Sequence, residues 1–379
     1  MKKVLLVATV QSHICQFHKP FVKILREQGA EVHVAAKDNL AEKNGLKLDF
    51  VDKAFDLPFS RSPKSRDNLT ALKMLKKIIA EEGYDLIQCN TPMGGILTRM
   101  AAKKARKQGT KVVYMAHGFH FYKGASKKAW MVFYPIEKHF AKKCDTLITI
   151  TKEDYALASK KFKTNVVHMH GVGVSEERYH VVDAATRQEM RMNEGLKEVD
   201  FVILCTGELN KNKNQATLIR AAAQLKDKIP NLKILLAGNG PLEDVLREQV
   251  KNEGVEELVK FLGYRTDLEK VVPATDLIVS CSKREGLPLN IIEALLCRKP
   301  VVASVNRGHN ELIQDGENGY LFTPGDWETL AKRILEIYQG EENTISEMGK
   351  KGYQIAQSYT VAAIEKELRE IYQTKEGLK

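Results

Sequence analysis

The sequence predicts an α/β protein built from two doubly wound parallel sheets, and three observations predict it. At 379 residues the chain exceeds what one hydrophobic core usually organises, so two domains of about 150 to 200 residues are expected. Short apolar, β-rich runs alternate with helical patterns, which implies right-handed crossovers between parallel strands. That series stops near residue 175 and restarts near residue 200.

The first series comprises Val4 to Val10, Glu31 to Ala36, Leu86 to Cys89, Val112 to Ala116 and Thr146 to Ile150, separated by helical patterns such as Phe21 to Gln28, Leu69 to Glu82 and Gly95 to Gln108. The second comprises Phe201 to Thr206, Lys233 to Ala237, Val259 to Leu262, Leu277 to Ser280 and Pro300 to Ala303. The reading is therefore a Rossmann-like domain over 1–175, a charged, weakly periodic hinge over 176–199, a second Rossmann-like domain over 200–355, and a last helix over 356–379 that crosses back to the first domain. Ligands of open α/β sheets sit beyond the carboxyl ends of the strands, and two such sheets are expected to face one another across a cleft.

Composition excludes several classes. With 43% hydrophobic and 28% charged residues and no low-complexity tract, the chain can bury a sizeable core. Lys2 and Lys3 before an apolar run imitate a signal peptide, but the run is short, lacks a small-residue cleavage site and reads better as a buried strand. The six cysteines are scattered without a C-x-x-C pair, which points to reduced thiols in a cytoplasmic protein and away from a zinc site. Net charge is +11 and uneven: residues 1–175 hold 31 Lys and Arg against 15 Asp and Glu. A basic first half suits an anionic partner, either a membrane face with lipid diphosphate or a nucleic acid.

The most informative segment is Ser282-Lys283-Arg284-Glu285-Gly286-Leu287-Pro288-Leu289-Asn290-Ile291-Ile292-Glu293-Ala294, which follows a strand and becomes an apolar helical pattern. Gly286 permits a tight turn and Pro288 is placed to start a helix. The amides that follow, at Leu289 and Asn290, suit a diphosphate, and the helix dipole adds to the attraction. Glu285 and Glu293 are two carboxylates able to accept hydrogen bonds from the vicinal hydroxyls of sugars and ribose.

Glu285-Gly-Leu-Pro with Glu293-Ala-Leu resembles the E-x7-E signature of the family-four retaining glycosyltransferases, which have the two-domain GT-B fold. The resemblance gives Glu285 the donor sugar and Glu293 the ribose. Thr206-Gly207-Glu208-Leu209-Asn210-Lys211-Asn212-Lys213 is similar to the family's G-R-L-x-x-x-K loop, in which Lys213 would hold the donor diphosphate. Glu208 stands where the family commonly has Arg, which removes one phosphate cation; Arg284 and Lys211 are candidates to compensate, and spacing alone assigns neither. Leu236-Ala237-Gly238-Asn239-Gly240 resembles a nucleotide-facing turn, and Phe261-Leu262-Gly263-Tyr264 with Asp267 resembles the loop that reads the donor base. Arg307-Gly308-His309-Asn310-Glu311 fits either a family loop or a structural turn.

In the first domain the resemblance is to the EpsD-like exopolysaccharide and capsule subgroup. Ala116-His117-Gly118-Phe119-His120-Phe121-Tyr122 follows a strand, and the resemblance places His117 near the reacting sugar, with His120 as the alternative. Thr91-Pro92-Met93-Gly94-Gly95 matches the same subgroup and assigns Gly94 to the acceptor side. Thr9 to His18 is expected as a loop between the first strand and first helix, without the glycine-rich turn common in the family; its His13 and His18 are candidates for the cleft or for structural roles.

The resemblance implies a hexosyltransferase that moves a hexose or N-acetylhexosamine from a nucleotide diphosphate sugar, UDP foremost, with retention. Its acceptor would be an undecaprenyl diphosphate-linked saccharide of exopolysaccharide or capsule biosynthesis. No D-x-D pair occurs in a suitable loop, so no metal and no other cofactor is expected. Phe119, Phe121, Tyr122, Lys123, Lys127, Lys128 and Trp130 form a candidate patch that faces either the inner leaflet of the cell membrane or the acceptor. Two alternatives remain: a UDP-sugar epimerase of the same fold, and a basic nucleic-acid-binding protein, which lacks any recognition motif.

Overall fold

The computed structural model describes residues 2–42 and 45–373. The chain divides into two compact units, residues 1–173 with 361–379 and residues 174–360. In the first unit β1 (Lys3–Val10), β2 (Glu31–Lys37), β3 (Lys53–Asp56), β4 (Leu86–Asn90), β5 (Lys111–Ala116), β6 (Thr146–Thr149) and β7 (Asn165–His168) form a sheet of order β3-β2-β1-β4-β5-β6-β7. In the second, β8 (Phe201–Thr206), β9 (Leu232–Ala237), β10 (Val259–Gly263), β11 (Leu277–Ser280), β12 (Val301–Ser304) and β13 (Gly319–Phe322) run in the order β10-β9-β8-β11-β12-β13. Every pairing between these strands is parallel. Strand order reverses between β1 and β4 and between β8 and β11, the positions where doubly wound sheets open a crevice at their carboxyl ends.

The central strands are apolar on both faces because helices cover both sides, and β1, β4, β5 and β8 are almost wholly buried. The strands that hydropathy does not reveal lie toward the sheet edges. β3 and β7 have no buried residue and β13 is only four residues long, so none carries an apolar run. The six cysteines are buried and unpaired.

The expected linker over 176–199 is instead part of the second unit. Asp183 caps helix Ala184–Asn193 by accepting from the Thr186 amide at 2.7 Å. Arg191 is fully buried there and donates to the carbonyls of Ala274 at 2.9 Å and Lys197 at 3.0 Å, and to that of Asp200. A buried guanidinium satisfied by three carbonyls fixes the segment to its own domain, and the chain crosses between units at 173/174 and 360/361.

The last helix does return to the first unit, over Val361–Gln373 rather than from residue 356; Glu342–Ala356 and a short 3-10 turn precede it, and 374–379 lie outside the described residues. Ile364 and Leu368 are fully buried, and Tyr372 meets Phe21 edge-on at 6.4 Å. Lys23 pairs with Glu365 at 2.7 Å, and Glu367 accepts from His170. The expected helix over residues 95–108 is two helices, Pro92–Ala101 and Lys103–Lys107. The expected loop Thr9–His18 is also largely helical: β1 passes at Val10 directly into helix Gln11–Phe17, which leaves no turn for glycines to shape.

Candidate functional site

In the second unit three loops converge from the carboxyl ends of β8, β9 and β11. The first holds Gly207 to Lys213. Asn210 accepts at Oδ1 from the amides of Asn212 and Lys213, both at 2.9 Å, and its own side-chain amide donates to Glu208 at 2.8 Å. Glu208, exposed and in the family's Arg position, thus orients the residue that shapes the turn. The loop after β9 presses against it: a Cβ on Gly238 would lie 2.1 Å from the Gly207 carbonyl oxygen, and both residues have strongly positive φ, 146° and 136°. Glycine is required at both.

The third loop brings Glu285 against Lys213. The Lys213 ammonium donates to the Glu285 carboxylate at 2.7 Å, with the two side chains 23% and 15% exposed. Burial pushes the Glu285 carboxyl up, but the Lys213 charge and its hydrogen bond outweigh it and hold the group below the usual carboxylate range. Asn212 ties the loops together: its side-chain amide donates to the Arg284 carbonyl at 3.0 Å and its carbonyl accepts from the Lys283 amide at 2.8 Å. The side chains of Arg284 and Lys211 are exposed.

Helix Leu289–Leu296 starts after Pro288, which caps it in extended conformation instead of occupying its first turn. The first amides, Leu289 and Asn290, have no intrahelical partner, as at any helix start. The Asn290 side-chain nitrogen is buried and has no hydrogen-bond partner among the described residues, so this end of the helix holds a donor awaiting an acceptor. Gly286 packs beneath helix Arg307–Leu312, where a Cβ on Gly308 would lie 2.4 Å from its carbonyl oxygen. His309 in that helix is fully buried, bonded to Ser280 at 3.0 Å and Asn306 at 2.9 Å, and burial lowers it to about 4; it braces β11 against β12.

Glu293 lies farther along the helix. Burial raises its carboxyl to about 7, against the lowering effects of a hydrogen bond with Tyr179 and the Arg178 charge. Arg178 also pairs with Glu269 at 2.7 Å. Sequence reading missed Arg178 and Tyr179, more than a hundred residues from Glu293 and in no motif. Tyr264 is 55% exposed after β10, while Asp267 is engaged by Arg265 at 2.7 Å.

In the first unit three predicted histidines come together. His13, in helix Gln11–Phe17, and His117, after β5, place their Nε2 atoms 3.3 Å apart, and the His18 ring centroid lies 5.2 Å from that of His13 and 5.8 Å from that of His117. Burial lowers His117 to about 4; burial first, then neighbouring His117, holds His13 and His18 well below the usual imidazole range. All three are neutral near pH 7. His120 instead lies against Phe133, centroids 4.7 Å apart.

Gly94 has a packing reason. Its Cβ would lie 2.8 Å from the Thr91 hydroxyl and 3.2 Å from the Ala8 backbone, so glycine lets helix Pro92–Ala101 rest on β1. Thr91 has φ 64°, a strained conformation for a β-branched residue, held by hydrogen bonds from Thr9 at 3.1 Å and 2.7 Å at the β1/β4 switch point. Phe119 and Phe121 are core residues, stacked at 4.8 Å and almost fully buried, and not part of an exposed patch. The exposed apolar side chains belong to helix Lys127–Ala141: Met131, Val132, Phe133 and Ile136.

Comparison with known proteins agrees with this geometry. The family "Glycosyl transferases group 1" matches residues 186–355 and "Glycosyl transferase 4-like" matches residues 3–151. The chain is 41% identical over 373 residues to the putative glycosyltransferase EpsD of Bacillus subtilis, covering 98% of this chain and 96% of that one. It is 26% identical over 309 residues to an Escherichia coli UDP-Gal:alpha-D-GlcNAc-diphosphoundecaprenol alpha-1,3-galactosyltransferase, covering 79% of each. Among solved structures, Anabaena HepE in complex with UDP superposes with a TM-score of 0.77 at 24% identity over 98% of this chain and all of that one. Sucrose-phosphate synthase from Thermosynechococcus elongatus gives a TM-score of 0.79 at 19% identity over 98% of both chains. With this identity along almost its whole length, and with two parallel α/β units, the chain belongs to the EpsD-type family-four glycosyltransferases of GT-B fold and is a transferase.

Proposed function

We propose that the protein is a retaining hexosyltransferase that takes a hexose or N-acetylhexosamine from a nucleotide diphosphate sugar, UDP foremost, and adds it to a lipid-linked saccharide in exopolysaccharide or capsule assembly. The observation that carries this reading is the Lys213–Glu285 pair beside the Leu289–Leu296 helix start with its unpartnered Asn290 donor. An ammonium and helix amides suit a diphosphate; a carboxylate released from that ammonium suits sugar hydroxyls. The donor and acceptor assignments are also supported by the activity of the galactosyltransferase relative and by the UDP bound to HepE.

In this reading Lys213 and the amides of Leu289 and Asn290 stabilise charge on the leaving diphosphate. Gly207, Gly238, Gly286 and Arg284 shape or line its cradle, Tyr264 lies toward the base, and Glu293 accepts from the ribose. Glu285 orients the donor sugar, and His117 bonds a sugar hydroxyl or steadies the developing oxocarbenium ion. The diphosphate itself assists deprotonation of the acceptor on the same face, so catalysis is positioning plus electrostatics without a metal. The acceptor side falls to the first unit, with His13, His18, Gly94 and His120 as its candidates.

The membrane contact we propose uses helix Lys127–Ala141, where Met131 is 72% exposed and Lys127, Lys128, Lys138 and Lys142 are exposed nearby. No helix among the described residues is long and apolar enough to cross a membrane. Flotation with anionic liposomes tests the contact: wild type is expected to float and Met131→Ser/Phe133→Ser to stay at the bottom, and wild type that stays at the bottom removes it.

The deciding experiment is hydrolysis and binding across UDP-, GDP-, ADP- and TDP-sugars with and without EDTA, for wild type, Glu285→Ala and Lys213→Ala. Release of one nucleoside diphosphate, insensitive to EDTA and lost in both variants, is expected. Conversion of a UDP-sugar to its epimer without acceptor would replace this reading.

A further inference from the structure

The sugar-transfer reading gives His13, His18 and His117 separate places, and it does not account for their meeting as a cluster. Their candidate ligand atoms all lie within 4.8 Å of one another. The 3.3 Å between Nε2 of His13 and Nε2 of His117 equals the edge of a tetrahedron around an ion with metal–nitrogen bonds of about 2.0–2.1 Å, an edge of roughly 3.4 Å. An N–H···N hydrogen bond explains that distance equally well. It does not explain His18, whose ring is fully buried and whose two nitrogens both lack a hydrogen-bond partner among the described residues. A buried imidazole with neither nitrogen satisfied costs free energy that ligation would recover.

The backbone holds His18 in place. It lies between helices Gln11–Phe17 and Lys19–Glu27, its amide donating to the Ile14 carbonyl at 2.9 Å and its carbonyl accepting from Val22 at 3.0 Å. His13 lies within helix Gln11–Phe17 and His117 directly follows β5, so these two rings are carried by or beside regular elements. His13 and His117 are only partly buried, which leaves the cluster open on one side for a fourth ligand.

We propose that His13, His18 and His117 form a three-histidine site for a late first-row divalent ion, with Zn2+ the physiological candidate and a water or anion as fourth ligand. Three imidazoles with one open position is a donor set that suits zinc, nickel, copper or cobalt and disfavours magnesium and calcium. On binding, the proton shared between the His13 and His117 Nε2 atoms shifts to a ring Nδ1, both Nε2 lone pairs turn to the ion, and no net proton is released. Closure also needs the His18 ring to approach the pair, because the candidate ligand atoms span up to 4.8 Å against an edge of roughly 3.4 Å.

The test uses untagged full-length protein, stripped with chelator and titrated with Co2+ and Zn2+ without donor or acceptor, so its outcome is independent of the proposed sugar chemistry. One ion per chain is expected, with the intense visible bands of four-coordinate Co2+, a raised melting temperature in Zn2+, and affinity reduced tenfold or more in His13→Asn and in His117→Asn. X-ray absorption of zinc-loaded wild type should show scattering from three imidazoles, a readout that needs no variant. Binding well below one ion per chain, fewer than three imidazoles, or equal binding in the variants would overturn the site. A further consequence rests on the proposed role of His117: an ion there competes with the donor sugar, so Zn2+ should slow transfer while EDTA leaves it intact.

Discussion

Replacing Lys213 by Ala removes the cation that holds Glu285 at 2.7 Å in a setting where both side chains are less than a quarter exposed. At an effective dielectric of about 20 the gross attraction is on the order of 5 kcal/mol, and desolvation of the two groups offsets much of it. A net truncation cost of about 2–3 kcal/mol remains, most of it the penalty of a carboxylate left partly buried without its partner. For a unit of this size that lowers the melting temperature by roughly 5–10 °C. Glu285→Gln, which keeps the shape and loses the charge, should cost less, and a double-mutant cycle should give a coupling of at least about 1 kcal/mol. Saturating UDP should shrink the coupling, because the diphosphate takes over the ammonium. The assay is thermal unfolding of the four proteins with and without UDP. Shifts under about 1 °C for both single variants, or a coupling unchanged by UDP, would refute the claim that Lys213 exchanges the carboxylate for phosphate.

Other consequences follow from the same loops and helices. Glu293 is raised from 4.5 to about 7, so the folded unit binds a proton that the unfolded chain has lost; this contribution is fully present below about pH 4.5 and disappears as pH rises through about 7, on the order of 3 kcal/mol in all. If the ionised carboxylate accepts from ribose, UDP binding should tighten between pH 6 and 8 with release of a proton, read by calorimetry in buffers of different ionisation enthalpy, and Glu293→Gln should flatten both trends. Gly308→Ala would set a Cβ 2.4 Å from the Gly286 carbonyl, so the Glu285 loop must move; a loss of donor affinity of about tenfold is expected by titration, and unchanged affinity would show that this loop does not contact the donor. Truncation at residue 360 would uncover the face now covered by Ile364, Leu368, Ile371 and Tyr372, each worth about 1.5–3 kcal/mol, and should leave the first unit unfolded by circular dichroism.

Much of this is legible in the sequence because central strands of doubly wound sheets are apolar runs and because turns at their carboxyl ends need glycine. Gly207 and Gly238 therefore stand out as glycines directly after such runs. The edge strands do not: β3 exposes Lys53, Ala54 and Asp56 and has no pattern to read. The stretch 176–199 reads as a hinge because its anchor is a buried arginine, and local sequence does not show that Arg191 finds carbonyls at residues 197, 200 and 274. Phe119 and Phe121 read as surface-directed beside lysines, yet a strand end can turn its aromatics inward while the next helix carries the exposed ones. The pairing of Glu293 with Tyr179 lies beyond any motif, since it joins a residue near the start of the second unit to one in a helix more than a hundred residues later.

Glu208 in place of the expected Arg bears on what fixes the proposed diphosphate cradle. If side-chain cations defined it, the exchange would reverse a charge at its centre. In the structure the cradle is set by backbone instead. The Gly207 carbonyl lies where a Cβ on Gly238 would sit, Leu209 exchanges backbone hydrogen bonds with Asn239 and Leu242, and Asn210 fixes the amides of Asn212 and Lys213. Glu208 acts on that frame from outside by holding Asn210 at 2.8 Å. Its replacement by Arg would therefore trade a turn-orienting acceptor for a phosphate cation. Glu208→Arg should tighten UDP only if Asn210 keeps its turn; if instead UDP weakens by the same factor in Glu208→Arg and Asn210→Ala, the carboxylate's contribution is the shape of the loop.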